Sequence, residues 1–473
     1  MTFGGDGASP RLALASASGR WLIAAAALGS GVAFLDGSVV NVALPAIGRD
    51  LGGGLSVLQW VLDGYLLTLS ALLLLGGALG DRYDRRLVFL AGLVVFTIAS
   101  VGCGLAPTGE VLILARIVQG IGGALLVPSS LAMIETVIRP EDRGRAIGLW
   151  AGLSGVSSAI GPFVGGWLVD AASWRWVFLI NVPLAAAALI LTVRHVPRIR
   201  DTRVRGPLDV AGAAAVTIGL GGITFALIEA PVQGWTPTVV GALVVGVLAV
   251  AAFPVVEHRA ADPLVPLRLF RSPQFSGTNI VTLAVYTGLG GALFLLSLHL
   301  QANLGYGALQ AGLAFVPFTA IMLVLSGRMG ALAQRTGPRA LMTAGPLVAG
   351  IGLALLVRVV PGATYWGGVL PGILVFGLGM AMTVAPLTAT VLEAVPAEYV
   401  GAASGANNAI SRFASLLAVA VLPLAVGITD PSGPSLESGF ARAMLVSAAL
   451  CVIGGAVAFA TVRNPAGAAQ PRA

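Results

Sequence analysis

The feature that most constrains this chain is a succession of apolar runs, each about as long as a bilayer core is thick. A helix needs about 20 residues to cross ~30 Å of hydrocarbon. Runs of that length fall at 21–44, 57–79, 87–106, 110–132, 145–169, 176–194, 207–229, 236–256, 276–302, 308–331, 340–360, 365–390, 400–426 and 440–462, fourteen in all. They are continuous rather than alternating, which favours helices over barrel strands, because a helix satisfies its own backbone in lipid. With 57% hydrophobic and only 10% charged residues, a water-soluble fold could not hide this surface. The 64 glycines and 27 prolines suit a membrane bundle, where small residues let helix backbones approach. The expected fold is therefore all-α and integral to the membrane.

Charge condenses between the runs. In GALGDRYDRR (77–86), Asp81, Arg82, Asp84, Arg85 and Arg86 interrupt two oily segments. Basic residues gather in the loops on the same side of the chain: Arg139, Arg143 and Arg145, then Arg194, Arg198, Arg200, Arg203 and Arg205, then Arg259, Arg268 and Arg271, then Arg335 and Arg339. The opposite loops hold only Arg49, Arg175, Arg358 and Arg442. The arginine-rich side is expected to be cytoplasmic, and an even number of spans then puts both termini there. The same pattern accounts for the basic isoelectric point near 10.2 without any nucleic acid. No cleavable signal peptide is apparent, because the first run is long enough to span.

The chain also repeats itself. LGDRYDRR (79–86) aligns with LAQRTGPR (332–339), and RPEDRGRAIG (139–148) with VPAEYVGAASG (395–405). The repeats divide the chain into a six-helix half over 1–195, a basic linker with two inserted helices over 196–262, and a second six-helix half over 263–473. Paired halves around a central site are transporter architecture.

Six segments, in order and at membrane-compatible spacing, carry a family resemblance. LDGSVVNVALPAI (35–47), QWVLDGYLL (59–67), GALGDRYDRR, LILARIVQGIGGA (112–124), GLWAGLSGVSSAIGPFVGG (148–166) and WRWVFLINVP (174–183) together resemble the major facilitator superfamily, in its fourteen-helix drug:proton antiporter branch. Two positions depart from the family motifs. Asp84 stands where the loop 2–3 motif has Gly, and Ser157 where the helix 5 motif has Gly. Asp tolerates the left-handed backbone at modest cost, and Ser is still small. The resemblance implies a carrier that alternates access to the two sides. It also implies that Arg116 takes part in proton transfer, that the helix 5 motif is a leak-proof contact associated with export, and that Asp81, assisted by Arg85 or Arg86, latches the outward-open state. Gly77 and Arg82 belong to the same latch motif.

Individual residues support two readings each. Asp36 lies roughly 10 Å deep at 1.5 Å per residue, where a carboxylate costs at least ~2.5 kcal/mol. It either exchanges protons or cations, or steadies a kink before Pro45. Asp63 shares a polar stripe with Gln59 and Ser70, facing either the cavity or the headgroups. Arg116 matches both acids in depth, as a proton-transfer partner or a static ion pair. Gly148, Gly152, Gly155, Gly161, Pro162, Gly165 and Gly166 give helix 5 small faces for another helix, whether for gating or for tight packing. The charges of GALGDRYDRR either anchor the loop or also latch the halves. Asn41, Gln59, Tyr65, Gln119, Tyr286, His299, Met380 and Asn407 are candidate cavity residues, with Gln301, Asn303, Met382, Asn408, Ser411 and Arg412 nearby. Few polar anchors in an apolar cavity suit bulky hydrophobic or lipophilic-cationic substrates, which Asp36 and Asp63 could neutralise. Glu229 is expected in a loop.

Other classes fit poorly. All 27 basic residues are arginine, so the lysine of a phosphate-binding G-x-x-x-x-G-K-[ST] loop is missing and an ATP-driven pump is not expected. No metal-ligand spacing or nucleophile triad argues for an enzyme, a metal or a cofactor. Cys103 and Cys451 lie in apolar runs and suggest no disulfide framework. The expectation is a monomeric, multi-pass bacterial cell-membrane exporter whose partners are a small hydrophobic substrate, protons and lipid. A proton-coupled uptake carrier and a lipid or metabolite exporter of the same fold are the alternatives.

Overall fold

The computed structural model describes residues 12–197, 207–396 and 399–464. Arg198, Arg200, Arg203 and Arg205 of the basic linker lie outside these residues, as do positions 397 and 398 of the second repeat. Fourteen helices are long and apolar enough to cross a membrane: α1 (Ala17–Leu51), α2 (Gly54–Arg82), α3 (Arg85–Gly104), α4 (Gly109–Val137), α5 (Pro140–Ala171), α6 (Trp176–His195), α7 (Val210–Gln233), α8 (Pro237–Arg259), α9 (Pro273–Ala302), α10 (Ala308–Thr336), α11 (Pro338–Arg358), α12 (Tyr365–Glu393), α13 (Val400–Val426) and α14 (Pro434–Thr461). The described residues contain no named strand, only an isolated bridge between Leu12 and Ile138.

Several helices overshoot the apolar runs because their capping residues lie outside the oily stretch. The Ser16 side chain accepts from the Gly19 amide and starts α1 ahead of position 21. Pro140 opens α5, where its missing N–H costs nothing. Asp84 caps α3 by accepting from the Arg86 amide at 3.0 Å. Its φ is −66°, so the turn needs no left-handed residue there, and an acid in place of Gly fits by capping instead. Two spans break internally. α6 interrupts at Ile180 and α10 at Phe315. Pro183 and Pro317 follow closely, and a proline cannot bond the carbonyl four residues back.

The two halves pack alike. In the first, α2 and α3 pack on α4, and α5 and α6 on α1; in the second, α10 and α11 pack on α12, and α13 and α14 on α9. Glycine makes the closest crossings. A Cβ on Gly120 would strike the Tyr65 carbonyl and Thr68 of α2, and one on Gly122 would lie 2.6 Å from the Phe96 amide of α3. In the second half, Gly352 and Gly379 play this part between α11 and α12. The inserted α7 lies against α2 and α13, and α8 lies against α7. Glu229 is inside α7, not in a loop, and accepts from the Trp60 indole at 2.8 Å. Cys103 and Cys451 are buried and unpaired.

The halves touch mainly at one end. There the Asp170 carboxylate of α5 accepts from the amides of Ala308 (3.2 Å) and Leu309 (2.8 Å), capping α10 from across the interface. Gln59 donates to the Val419 carbonyl of α13 at 2.7 Å, and Gln301 to the Val42 carbonyl of α1 at 3.0 Å. Gly166 abuts Ala308 and Leu309, and Gly312 abuts Pro162. At the loop 2–3 end the same two helices part: Gly144, Gly148, Gly152 and Gly155 of α5, and Gly327 of α10, face open space. Both described chain ends lie at this open end. Leu12 bonds to Val137 and Arg139, and Asn464 bonds to Arg339.

Gly120→Val is expected to force α2 and α4 apart and cost about 1–3 kcal/mol, as overpacking typically does. Gly144→Ala, in open space, is expected to cost nothing. Melting temperatures of the purified proteins in detergent check the contrast.

Candidate functional site

The site grows from one costly residue. Asp36 on α1 is fully buried. An unpaired carboxylate there would be prohibitive, so partners must converge on it. Arg116 of α4, also fully buried, meets Oδ2 with Nη1 at 2.5 Å. Gln119, one turn further along α4, donates Nε2 to Oδ1 at 2.9 Å. Asn181 of α6 donates Nδ2 to the same oxygen at 2.9 Å. Ser100 of α3 receives from Gln119 at 2.8 Å and ties α3 into the cluster. The Arg116 guanidinium also donates Nε to the Val61 carbonyl at 2.9 Å and lies 4.3 Å from the centre of the Tyr65 ring. Helices α1, α2, α3, α4 and α6 thus meet in one polar knot.

A cavity of about 790 Å3 lies beside this knot, between the halves. That is the size of a site for one drug-sized molecule. Asn41, Tyr65, Arg116, Gly152 and Pro162 line it from the first half. Tyr286, Met380, Asn408, Ser411 and Arg412 line it from the second. The remaining wall is largely aliphatic and aromatic, including Phe34, Leu293, Phe318 and Met322.

Several expected residues fall elsewhere. Asp36 and Gln119 sit behind the wall rather than on it, with their side chains occupied by the knot. Asp63 does not join Arg116 despite its matching depth. It is fully buried, and neither carboxylate oxygen has a hydrogen-bond partner among the described residues. The stripe of Gln59, Asp63 and Ser70 misses the cavity; Leu62, Tyr65 and Leu66 are the α2 residues that reach it. The helix is rotated so that Gln59 meets α13 instead. His299 is at the closed end, stacked on Phe440 at 4.1 Å with Nε2 at 2.8 Å from the Val359 carbonyl. Asn407 points to α9, donating to Asn279 at 3.1 Å and Thr282 at 2.7 Å.

At the loop 2–3 end, Asp81 pairs with Arg85 at 2.6 Å, one turn apart. Arg85 also bonds the Ala132 carbonyl and Thr136 of α4, and Arg86 the Val193 carbonyl of α6. Gly77 packs beside Pro128, and Arg82 ends α2. The α5 motif is split by depth. Gly161 and Gly165 pack on Ser38 and Val39 of α1, and Gly166 on α10, whereas Gly148, Gly152 and Gly155 face open space. Ser157 is accommodated beside Gly31 of α1. Sequence reasoning missed Asn181, Ser100 and Asp170. Asn181 carries a signal in the INVP stretch, where Pro183 breaks α6 and turns the Asn side chain inward.

Fourteen spanning helices in two like-packed bundles, with a solute-sized cavity between them, define a membrane carrier. Comparison with known proteins gives the family. Residues 26–419 match the Major Facilitator Superfamily. The methylenomycin A resistance protein of Streptomyces coelicolor is 35% identical over 445 residues, covering 94% of this chain and 92% of the relative. The tetracenomycin C resistance and export protein of Streptomyces glaucescens is 34% identical, covering 84% and 74%. Among solved structures, a bacterial homologue of the human lysosomal transporter Spinster superposes with a TM-score of 0.65 at 18% identity, covering 96% of this chain and 100% of that one. A POT family transporter in complex with 5-aminolevulinic acid gives a TM-score of 0.70 at 13% identity, covering 94% and 97%. The chain belongs to the Major Facilitator Superfamily, a family of transporters, and is a multi-pass protein of the cell membrane.

Arg116→Gln leaves the Asp36 carboxylate without its countercharge and is expected to cost about 3–5 kcal/mol, as breaking a buried pair does. The double variant Asp36→Asn/Arg116→Gln is expected to recover more than half of that loss. Thermal unfolding in detergent at pH 8 measures both, and simple additivity would refute the pairing.

Proposed function

We propose that this protein is a proton-coupled exporter of hydrophobic, drug-like compounds, of the fourteen-helix drug:proton antiporter branch, working by alternating access with the loop 2–3 end cytoplasmic. One observation carries the reading: the central cavity is sealed by cross-half bonds at one end, opens at the arginine-rich end, and has the Asp36 knot directly behind its wall. Substrate enters from the cytoplasmic side. The resistance and export functions named for the two Streptomyces relatives support the direction of transport.

The knot supplies a route for coupling. Three donors, from Arg116, Gln119 and Asn181, converge on the Asp36 carboxylate in this state. A proton on Asp36 removes the charge from its bond to Arg116 and frees a guanidinium that already touches the cavity. Proton binding and substrate binding are then linked through one side chain. Asp63, fully buried with no hydrogen-bond partner among the described residues, is a second candidate proton carrier.

The first half (1–195) and second half (263–473) rock against each other, with 196–262 as an insertion. The bare face formed by Gly148, Gly152 and Gly155 is where α10 lands when the cytoplasmic end closes. Asp81 and its arginines, paired within one half here, become available to the opposite half in that closure. The seal at Asp170 must then open.

Inverted vesicles with an imposed inward-acid gradient test the coupling. Wild type is expected to concentrate fluorescent hydrophobic compounds, to lose that activity with an uncoupler, and to lose at least tenfold on Asp36→Asn. Normal coupling in Asp36→Asn would move the proton site to Asp63. Gly148→Leu, on the same bare face but off the cavity wall, is expected to abolish transport while leaving the melting temperature within a degree or so of wild type, because a side chain there has open space in this state.

A further inference from the structure

The cavity wall has an unbalanced charge. No aspartate or glutamate lines it, yet two arginines do. Arg116 is neutralised by Asp36 at 2.5 Å. Arg412 of α13 forms no ion pair with a described residue. Its guanidinium lies 5.3 Å from the centre of the Phe34 ring, on the opposite half of the protein. It is close enough to Tyr65 and Tyr286, one from each half, to act on both electrostatically. Asn408, one turn before it on the same face of α13, also lines the cavity.

A lone guanidinium is tolerable while the cavity is open to water. It becomes costly when the open end closes and the local dielectric falls. Stacking on Phe34 offsets only part of that cost, about 0.5–2 kcal/mol for a cation over a ring. A cationic solute would add like-charge repulsion at that moment. A carboxylate would supply the missing counterion, and the planar fork of arginine matches it bidentately.

We propose that the substrate class of this cavity is an organic anion: a bulky apolar body bearing one carboxylate, seated with its acidic group on Arg412 and Asn408 and its body against Phe34, Tyr286 and Met380. The inference rests on the reading of this cavity as the substrate site. It replaces a lipophilic cation with an amphiphilic acid and makes Arg412 the specificity-determining residue. Arg412 also bridges the halves, so an anion bound there would offset the cost of burying it during closure.

Three probes with one apolar body test this: 1-pyrenebutyrate, its methyl ester and the corresponding trimethylammonium compound. Binding to the full-length protein in lipid nanodiscs is read by pyrene fluorescence anisotropy. Wild type is expected to bind the carboxylate at least tenfold more tightly than the ester, and the ammonium more weakly than either. Arg412→Gln is expected to bring the carboxylate-to-ester ratio to about one. Arg412→Lys should keep a reduced preference, and Arg412→Glu should shift it to the ammonium. Ratios within one variant are independent of how much of it folds. Ester binding with no carboxylate preference in wild type, or a preference that survives Arg412→Gln, overturns the anion inference and leaves the cavity reading standing. No binding of any probe, in wild type and in Gly148→Leu alike, overturns both.

Discussion

The buried pair of Asp36 and Arg116 is the interaction on which the first half depends. Each charge alone would be intolerable at zero exposure, and each is acceptable only because the other is 2.5 Å away. The consequence spreads outward. Gln119 and Asn181 must donate to the remaining carboxylate oxygen, Ser100 must receive from Gln119, and the Arg116 side chain must cross to the Val61 carbonyl. Five helices are held in register by this set. A hydrophobic core of the same volume would pack them as tightly, but it would not select one register by directed bonds. The knot therefore fixes which helices of this half meet and at what depth.

The second organising constraint is that the two halves meet closely at one end and stand apart at the other. In this state the seal is made of backbone groups: amides of α10 held by Asp170, and carbonyls of α1 and α13 held by Gln301 and Gln59. Such bonds cost little to exchange for water, so the seal is firm without being permanent. On α5 the glycines are packed in the segment that meets α1 and α10 and bare in the segment that does not. One helix thus carries a used contact face and an unused one, separated by Pro162.

Most of the fold was legible because lipid removes alternatives. Apolar runs of spanning length can only be helices, and their number, repeat and loop charges follow from counting. The site was legible in part. Depth along a span brought Asp36 and Arg116 to one level, and they meet. Depth says nothing of rotation about the helix axis, so Asp63 shared the level and missed the knot, and Gln59 met α13 rather than the cavity. His299 failed for a different reason: its position near the end of α9 put it past the cavity floor. Asn181 and Asp170 were out of reach because a helix break and a cap made in trans are tertiary events. Asp84 was legible as a tolerated departure, but for the wrong backbone: it caps α3 from an extended conformation at φ −66°.

Helices α7 and α8 cover the seam between α2 and α13. Gln59 of α2 is bonded to α13, and Leu67 of α2 clusters with Leu220 of α7 and Leu416 of α13. Without α7, this seam would face lipid. Trp60 is pinned to Glu229 and packs on Phe225 within one turn of Asp63. α8 in turn shields α7, crossing it at Gly219, Gly222 and Gly246 and offering Val244, Val245, Val247 and Leu248 to the surroundings. The two helices thus cover the α2–α13 seam from a position that leaves the cavity wall untouched.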